Sequence, residues 1–216
     1  ENLPFTPAPG AGWNHTSFGL STIGDAFEEA PYMVAAATTP PGASYATVGC
    51  NVDTLHGFES SVISAVGTPR RVTQPRDWEV YERFLVAGPG PGVSGAADLA
   101  LEARRQLWGE RYVMLQGKLL AADDPSRLLG EGLRASIQIV EGDADTPAEE
   151  QIPWTEVRPD RGGNWVAGVP ATRTYRVIVE AYGRPVAEQS VSVGNDSMQL
   201  DDQAIPAVGA LDLGVT

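Results

Sequence analysis

At 216 residues, with 42% hydrophobic and 20% charged side chains, the chain is too apolar to stay disordered and long enough for one large core or two smaller ones. Its 28 acidic residues against 15 basic ones give a net charge of -13, spread along the chain, and such a surface repels nucleic acid and anionic membranes. No apolar run reaches the roughly 18 residues of a membrane span, and the single cysteine, Cys50, rules out an intrachain disulfide.

The 24 glycines and 17 prolines break helices and punctuate turns, so short strands are the expected elements. The chain opens Glu1-Asn2-Leu3-Pro4 without an initiating methionine, as expected of a processed protein or a piece of a longer one. Prolines and glycines crowd residues 1–45 and leave 32–37 as the first predicted strand, closed by a Pro40-Pro41-Gly42 turn. Loose alternation predicts further strands over 44–52 and 60–66, and aromatic and β-branched residues predict one over 78–86.

Gly88-Pro89-Gly90-Pro91-Gly92 reads as a stiff loop; it lacks the lysine and hydroxyl residue of a phosphate cradle, and its prolines remove amide donors. Ser94 is placed to cap a helix over 95–108, in which Ala96, Ala97, Leu99, Ala100, Ala103 and Leu107 recur at helical spacing. Asp98 near its start and Arg104 and Arg105 near its end suit the macrodipole, and Gly109 sits where it would stop. Strands follow over 112–120, 133–140, 165–169, 175–182 and 186–193, with an acidic, proline-bearing loop over 141–153. In the strand over 175–182, Tyr175, Val177, Val179 and Ala181 share one face. Short strands with turn signals every ten or so residues predict a β-sandwich.

Leu115-Gln116-Gly117, the run 135–140, Asp160-Arg161-Gly162-Gly163-Asn164-Trp165, Gly168-Val169-Pro170-Ala171 and Thr174-Tyr175-Arg176-Val177 together resemble a carboxypeptidase-regulatory-like domain. The likeness covers 112–194 and implies a transthyretin-like (prealbumin-like) or immunoglobulin-like sandwich, found in secreted bacterial proteins as a scaffold without catalysis. The departure is the long insertion over 141–153. The run Tyr81-Glu82-Arg83-Phe84-Leu85-Val86-Ala87-Gly88, with the loop and helix after it, is more distantly similar to the β-rich accessory region of secreted PHP-type metallohydrolases. Ala210-Leu211-Asp212-Leu213-Gly214-Val215 fits a strand leaving the sandwich, and no metal-binding histidine motif of that second family is present.

Metal hydrolysis needs several ligands converging on one ion. His15, His56 and Glu59 are the nitrogen-bearing candidates and their neighbour, although two lone histidines read far more readily as solvated or core-capping side chains. Ser60 and Ser61 lack a nucleophile elbow, and Cys50 reads as a small buried hydrophobe. Asp123 and Asp124, with Asp143, Asp145, Asp201 and Asp202, offer hard oxygen donors in loops for a structural calcium, against plain solubility. Trp13, His15, Phe18 and Trp78 have the chemistry to stack on a sugar ring, against the commoner role of large aromatics in a core.

The expected fold is mainly β: a β-rich domain over 1–110 ending in the helix, the sandwich over 111–194, and a C-terminal strand or linker over 195–216. No complete active site is visible. The expected role is a non-catalytic, extracytoplasmic module for assembly, spacing or binding within a larger secreted bacterial protein, its partner another protein or the rest of a longer chain. The alternatives are an accessory part of a metallohydrolase whose catalytic domain lies elsewhere, and a carbohydrate-binding module.

Overall fold

The computed structural model describes residues 28–36, 43–59, 64–67, 74–78, 80–89, 92–125, 135–146 and 152–206. Over these the protein is mainly β, with four small sheets and one short helix. The Pro40-Pro41-Gly42 turn and the terminal run 210–215 lie outside the described residues.

In the first half, β1 (Glu28–Ala30), β4 (Leu55–Glu59) and β5 (Ser64–Gly67) form one antiparallel sheet with β4 in the middle. A second antiparallel sheet has β3 (Ala43–Gly49) between β2 (Met33–Ala36) and β6 (Arg83–Pro89). The predicted strand over 78–86 is displaced: the ladder begins only at Arg83, and Gly88 and Pro89 belong to the strand and not to the loop. Their inclusion follows from pairing, since Ser44 and Ala43 lie opposite them on β3.

Helix α1 (Ser94–Trp108) packs on β3 and β6. Its start is not capped by Ser94; the N-cap is Val93, with no side-chain bond of its own. Instead, Ser44 Oγ on β3 accepts the Ala96 amide at 3.0 Å, so a distant hydroxyl satisfies a first-turn donor. Gly88 and Gly95 allow this approach, because a β-carbon on Gly88 would lie 2.2 Å from the Gly95 carbonyl carbon. Gly109 ends the helix as expected, with φ of 70° and its amide bonded to the Arg105 carbonyl.

The second half stacks two four-stranded sheets. In one, β7 (Tyr112–Ala121) is flanked by antiparallel β10 (Asn164–Pro170) and, on its other side, by β13 (Met198–Gln199) and β14 (Gln203–Ile205), both parallel to it. In the other the order is β12 (Arg184–Ser192), β11 (Thr174–Ala181), β8 (Ala135–Glu141) and β9 (Ile152–Val157), all antiparallel. Alternation is strict where one face is buried: Val113, Leu115, Leu119 and Ala121 of β7 point inward, as do Tyr175, Val177, Val179 and Ala181 of β11. Strand β9 was not anticipated; the sequence reading placed its first residues in the loop over 141–153.

One continuous apolar cluster joins Tyr32, Val34, Ala46 and Val48 of the first half, Ala97 and Leu101 of α1, and the interior of the sandwich. Tyr32 is fully buried and its hydroxyl donates to the Trp154 carbonyl on β9, with the two rings 5.9 Å apart. Trp154 Nε1 in turn donates to Glu141, which also receives Arg173 at 2.6 Å. The insertion therefore leads into the strand that receives the first half of the chain.

Candidate functional site

The residues most exposed for their chemistry lie on β6 and the segment before it. Backbone and side-chain bonds hold that segment on one side: the Cys50 amide donates to the Glu82 carbonyl at 3.0 Å, and Asn51 Nδ2 donates to the Val80 carbonyl at 2.6 Å. Tyr81 packs inward on Met33, Val52 and Leu55, and the Arg83 guanidinium stacks 4.6 Å above its ring. Trp78 is 83% exposed, Leu85 72%, Val80 50% and Phe84 47%. Phe84 and Leu85 are neighbours on a strand and so point to opposite faces, and both are exposed, whereas farther along β6 Val86 is half-buried and Gly88 is buried where α1 packs. Among the described residues β6 has a ladder partner on one edge only, β3.

A continuous apolar run such as Phe84-Leu85-Val86-Ala87 is the pattern of a strand buried on both faces. Aromatic and β-branched residues predict a strand over 78–86, and that pattern says nothing of how exposed its side chains are. Trp78, for which a core role was the commoner expectation, stands on the surface of this same stretch.

The remaining sequence candidates do not converge. Trp13, His15 and Phe18 lie outside the described residues, as do the side chains of His56 and Glu59, whose backbones pair within the β1-β4-β5 sheet. Asp123 and Asp124 are exposed in the bend after β7, and Asp201 and Asp202 are exposed between β13 and β14. Asp143 is engaged locally: one carboxylate oxygen accepts from the Thr146 hydroxyl at 2.9 Å and the Asp145 amide at 3.0 Å, which holds its carboxyl below the usual range. Among the described residues no three His, Cys, Asp or Glu side chains are grouped to hold a metal ion.

One buried and one exposed polar cluster organise the surroundings. Arg104, read from sequence as a helix-dipole partner, is 4% exposed and acts as a staple: it donates to both oxygens of Glu110, to the Pro31 carbonyl at 2.7 Å and to the Asp53 carbonyl at 2.6 Å. Arg105 alone serves the last turn of α1, where it pairs with Glu102. Glu102 also accepts from Gln106 and Tyr112, and the Arg105 contact above all lowers its carboxyl to about 2. Asp98 likewise lies beyond the first turn, and its carboxylate accepts the Gly168 amide of β10 at 2.7 Å.

In the sandwich, the residues that carry the family likeness meet in space. Trp165 pairs directly with Gly117 across β10 and β7, and its indole lies where a β-carbon on Gly117 would be, 2.7 Å from the nearest ring atom. The Tyr175 hydroxyl donates to the Pro170 carbonyl at 2.6 Å, a corner bond that locks the turn between β10 and β11. Compared with models of known protein families and with curated proteins, the chain finds no significant match. No helix among the described residues is long and apolar enough to cross a membrane.

Proposed function

We propose that this chain is a non-catalytic, extracytoplasmic β-sandwich module of a larger secreted bacterial protein, and that it assembles by accepting one extended strand of a partner polypeptide at the edge of β6 that has no ladder partner among the described residues. The observation that carries this reading is an apolar strand that has a ladder partner on one edge only among the described residues, with the exposed Phe84 and Leu85 projecting to either side. An added strand would satisfy the outer backbone groups of β6 and cover both side chains at once, the chemistry of β-strand addition. At about 3.3 Å per residue the edge is roughly 23 Å long. That suits a single strand better than a globular interface, which needs about 800 Å² from each partner.

Kinship with the carboxypeptidase-regulatory-like scaffold is supported by the Gly117–Trp165 pair and the Tyr175–Pro170 bond, both built from the residues that suggested it. A scaffold of this kind presents loops and edges and does not transform a substrate.

A phage-displayed library of random nonapeptides, panned against the whole chain, tests the reading. Enriched peptides should alternate apolar residues, slow hydrogen exchange of the 83–89 amides, and bind Leu85→Lys at least tenfold more weakly. Peptides that protect another surface, or none enriched over the Leu85→Lys variant, would refute the edge. Turnover of a phosphodiester with added zinc or manganese, lost in His56→Ala, would refute the absence of catalysis.

A further inference from the structure

We infer that the joint between α1 and β10 is a proton-tightened clasp, closed more firmly when Asp98 carries a proton than when it is charged. Asp98 sits one turn into α1, and its Oδ1 accepts the Gly168 amide at 2.7 Å. The carboxylate is pressed against bare backbone: a β-carbon on Gly168 would lie 2.9 Å from that same oxygen, 3.0 Å from Leu101 Cδ1 and 3.5 Å from the Tyr112 ring. Leu101 is buried and Tyr112 half-buried, so apolar surface surrounds the group.

Every ionisable neighbour leaves the charge uncompensated. On α1 itself, Arg104 is committed to Glu110 and two carbonyls, and Arg105 to Glu102. Strand β10 carries no ionisable side chain. Tyr112 of β7 donates its hydroxyl to Glu102, and the buried Tyr32 beside β2 donates to Trp154. Strand β9 brings a second carboxyl, the buried Glu156, while β3 contributes Tyr45 and β6 only Arg83, which is stacked on Tyr81. A desolvated carboxylate with one amide donor and no cation disfavours its charged form. Burial accordingly pushes Asp98 from 3.8 up to about 6, opposed only by the Gly168 bond.

The sign follows from linkage. The closed joint holds the proton more tightly than the opened one, so its stability is greatest below the ordinary carboxylate value of 3.8 and declines as pH rises through about 6. The protonated acid still accepts from Gly168 through Oδ1, so closure gains from the proton without losing its hydrogen bond. Exposed carboxylates whose values are lowered, such as Asp143, Asp160 and Glu188, tilt global stability the other way. The clasp must therefore be read locally.

Hydrogen exchange of the α1 and β10 amides in the full chain, corrected for intrinsic rate, is the experiment. Between pH 7.5 and 5.0 opening of the wild-type joint should become about tenfold rarer, from the two values above. Asp98→Asn, which keeps the shape and the acceptor, should abolish that difference. Equal wild-type protection at both pH values, or an undiminished difference in Asp98→Asn, would overturn the clasp. A carbon NMR titration of the Asp98 carboxyl in the unmutated chain decides independently of the variant: a midpoint near 6 supports it, and one at or below 4 defeats it.

Discussion

Strands β6 and β12 occupy equivalent places, each terminal in its sheet among the described residues, and their chemistry is opposite. β12 has Arg184 and Pro185 at its start, a register shift where it meets Val179 and Glu180 of β11, and Glu188 bonded to Arg176 at 2.7 Å. Those are the devices by which an edge refuses another strand. β6 has Arg83 at one end and Pro89 at the other, and between them Phe84, Leu85, Val86, Ala87 and Gly88 carry no charge. Among the described residues, β12 ends its sheet guarded by charge, proline and a bulge, whereas β6 ends its sheet in an uncharged apolar run suited to further pairing.

The largest loss of stability is expected in the sandwich interior. Trp165→Ala should cost about 3–5 kcal/mol, because it removes a buried indole that covers Gly117 and leaves a cavity. Urea unfolding measures this, and a loss below about 1 kcal/mol would mean that the sandwich core is not the stabilising body. Next comes Arg104→Ala, expected to cost about 3 kcal/mol by leaving the Pro31 and Asp53 carbonyls and part of Glu110 without their donor. Because those partners belong to the first half and to the end of α1, unfolding followed separately in the two regions should show the first half losing more.

Tyr175→Phe removes one buried hydrogen bond and keeps the ring, so about 1 kcal/mol is expected, read as a lowered denaturant midpoint at unchanged slope. Smallest is Leu85→Lys, within about 0.5 kcal/mol, since the side chain is already 72% exposed. Its larger consequence is solubility: light scattering on heating should show slower aggregation than wild type, because the charge gives β6 the protection that β12 has. Faster aggregation would erase the distinction between the two edges.

Much of this architecture was legible in the residues. The strand over 175–182 and its inward set Tyr175, Val177, Val179 and Ala181 follow from alternation, and the end of α1 at Gly109 follows from a residue that tolerates a left-handed backbone. The exposed edge was not legible, since an uninterrupted run such as Phe84-Leu85-Val86-Ala87 is the usual pattern of a buried strand, and that β6 ends its sheet among the described residues depends on distant pairing. Nor was the role of Asp98, whose place near a helix start suited the dipole as well as it suits the Gly168 amide.

Sequence alone determined the mainly β class, the positions of several turns and the helix that ends at Gly109. These rest on periodicity and on backbone preferences, which act within a few residues. Tertiary structure alone decided that Ser44 caps α1, that β13 and β14 run parallel to β7, that Arg104 joins Pro31 to Asp53, and which edge remains open. Each of those depends on segments far apart in the chain meeting in space, and no local pattern of side chains encodes which partner a strand edge or a buried charge will meet.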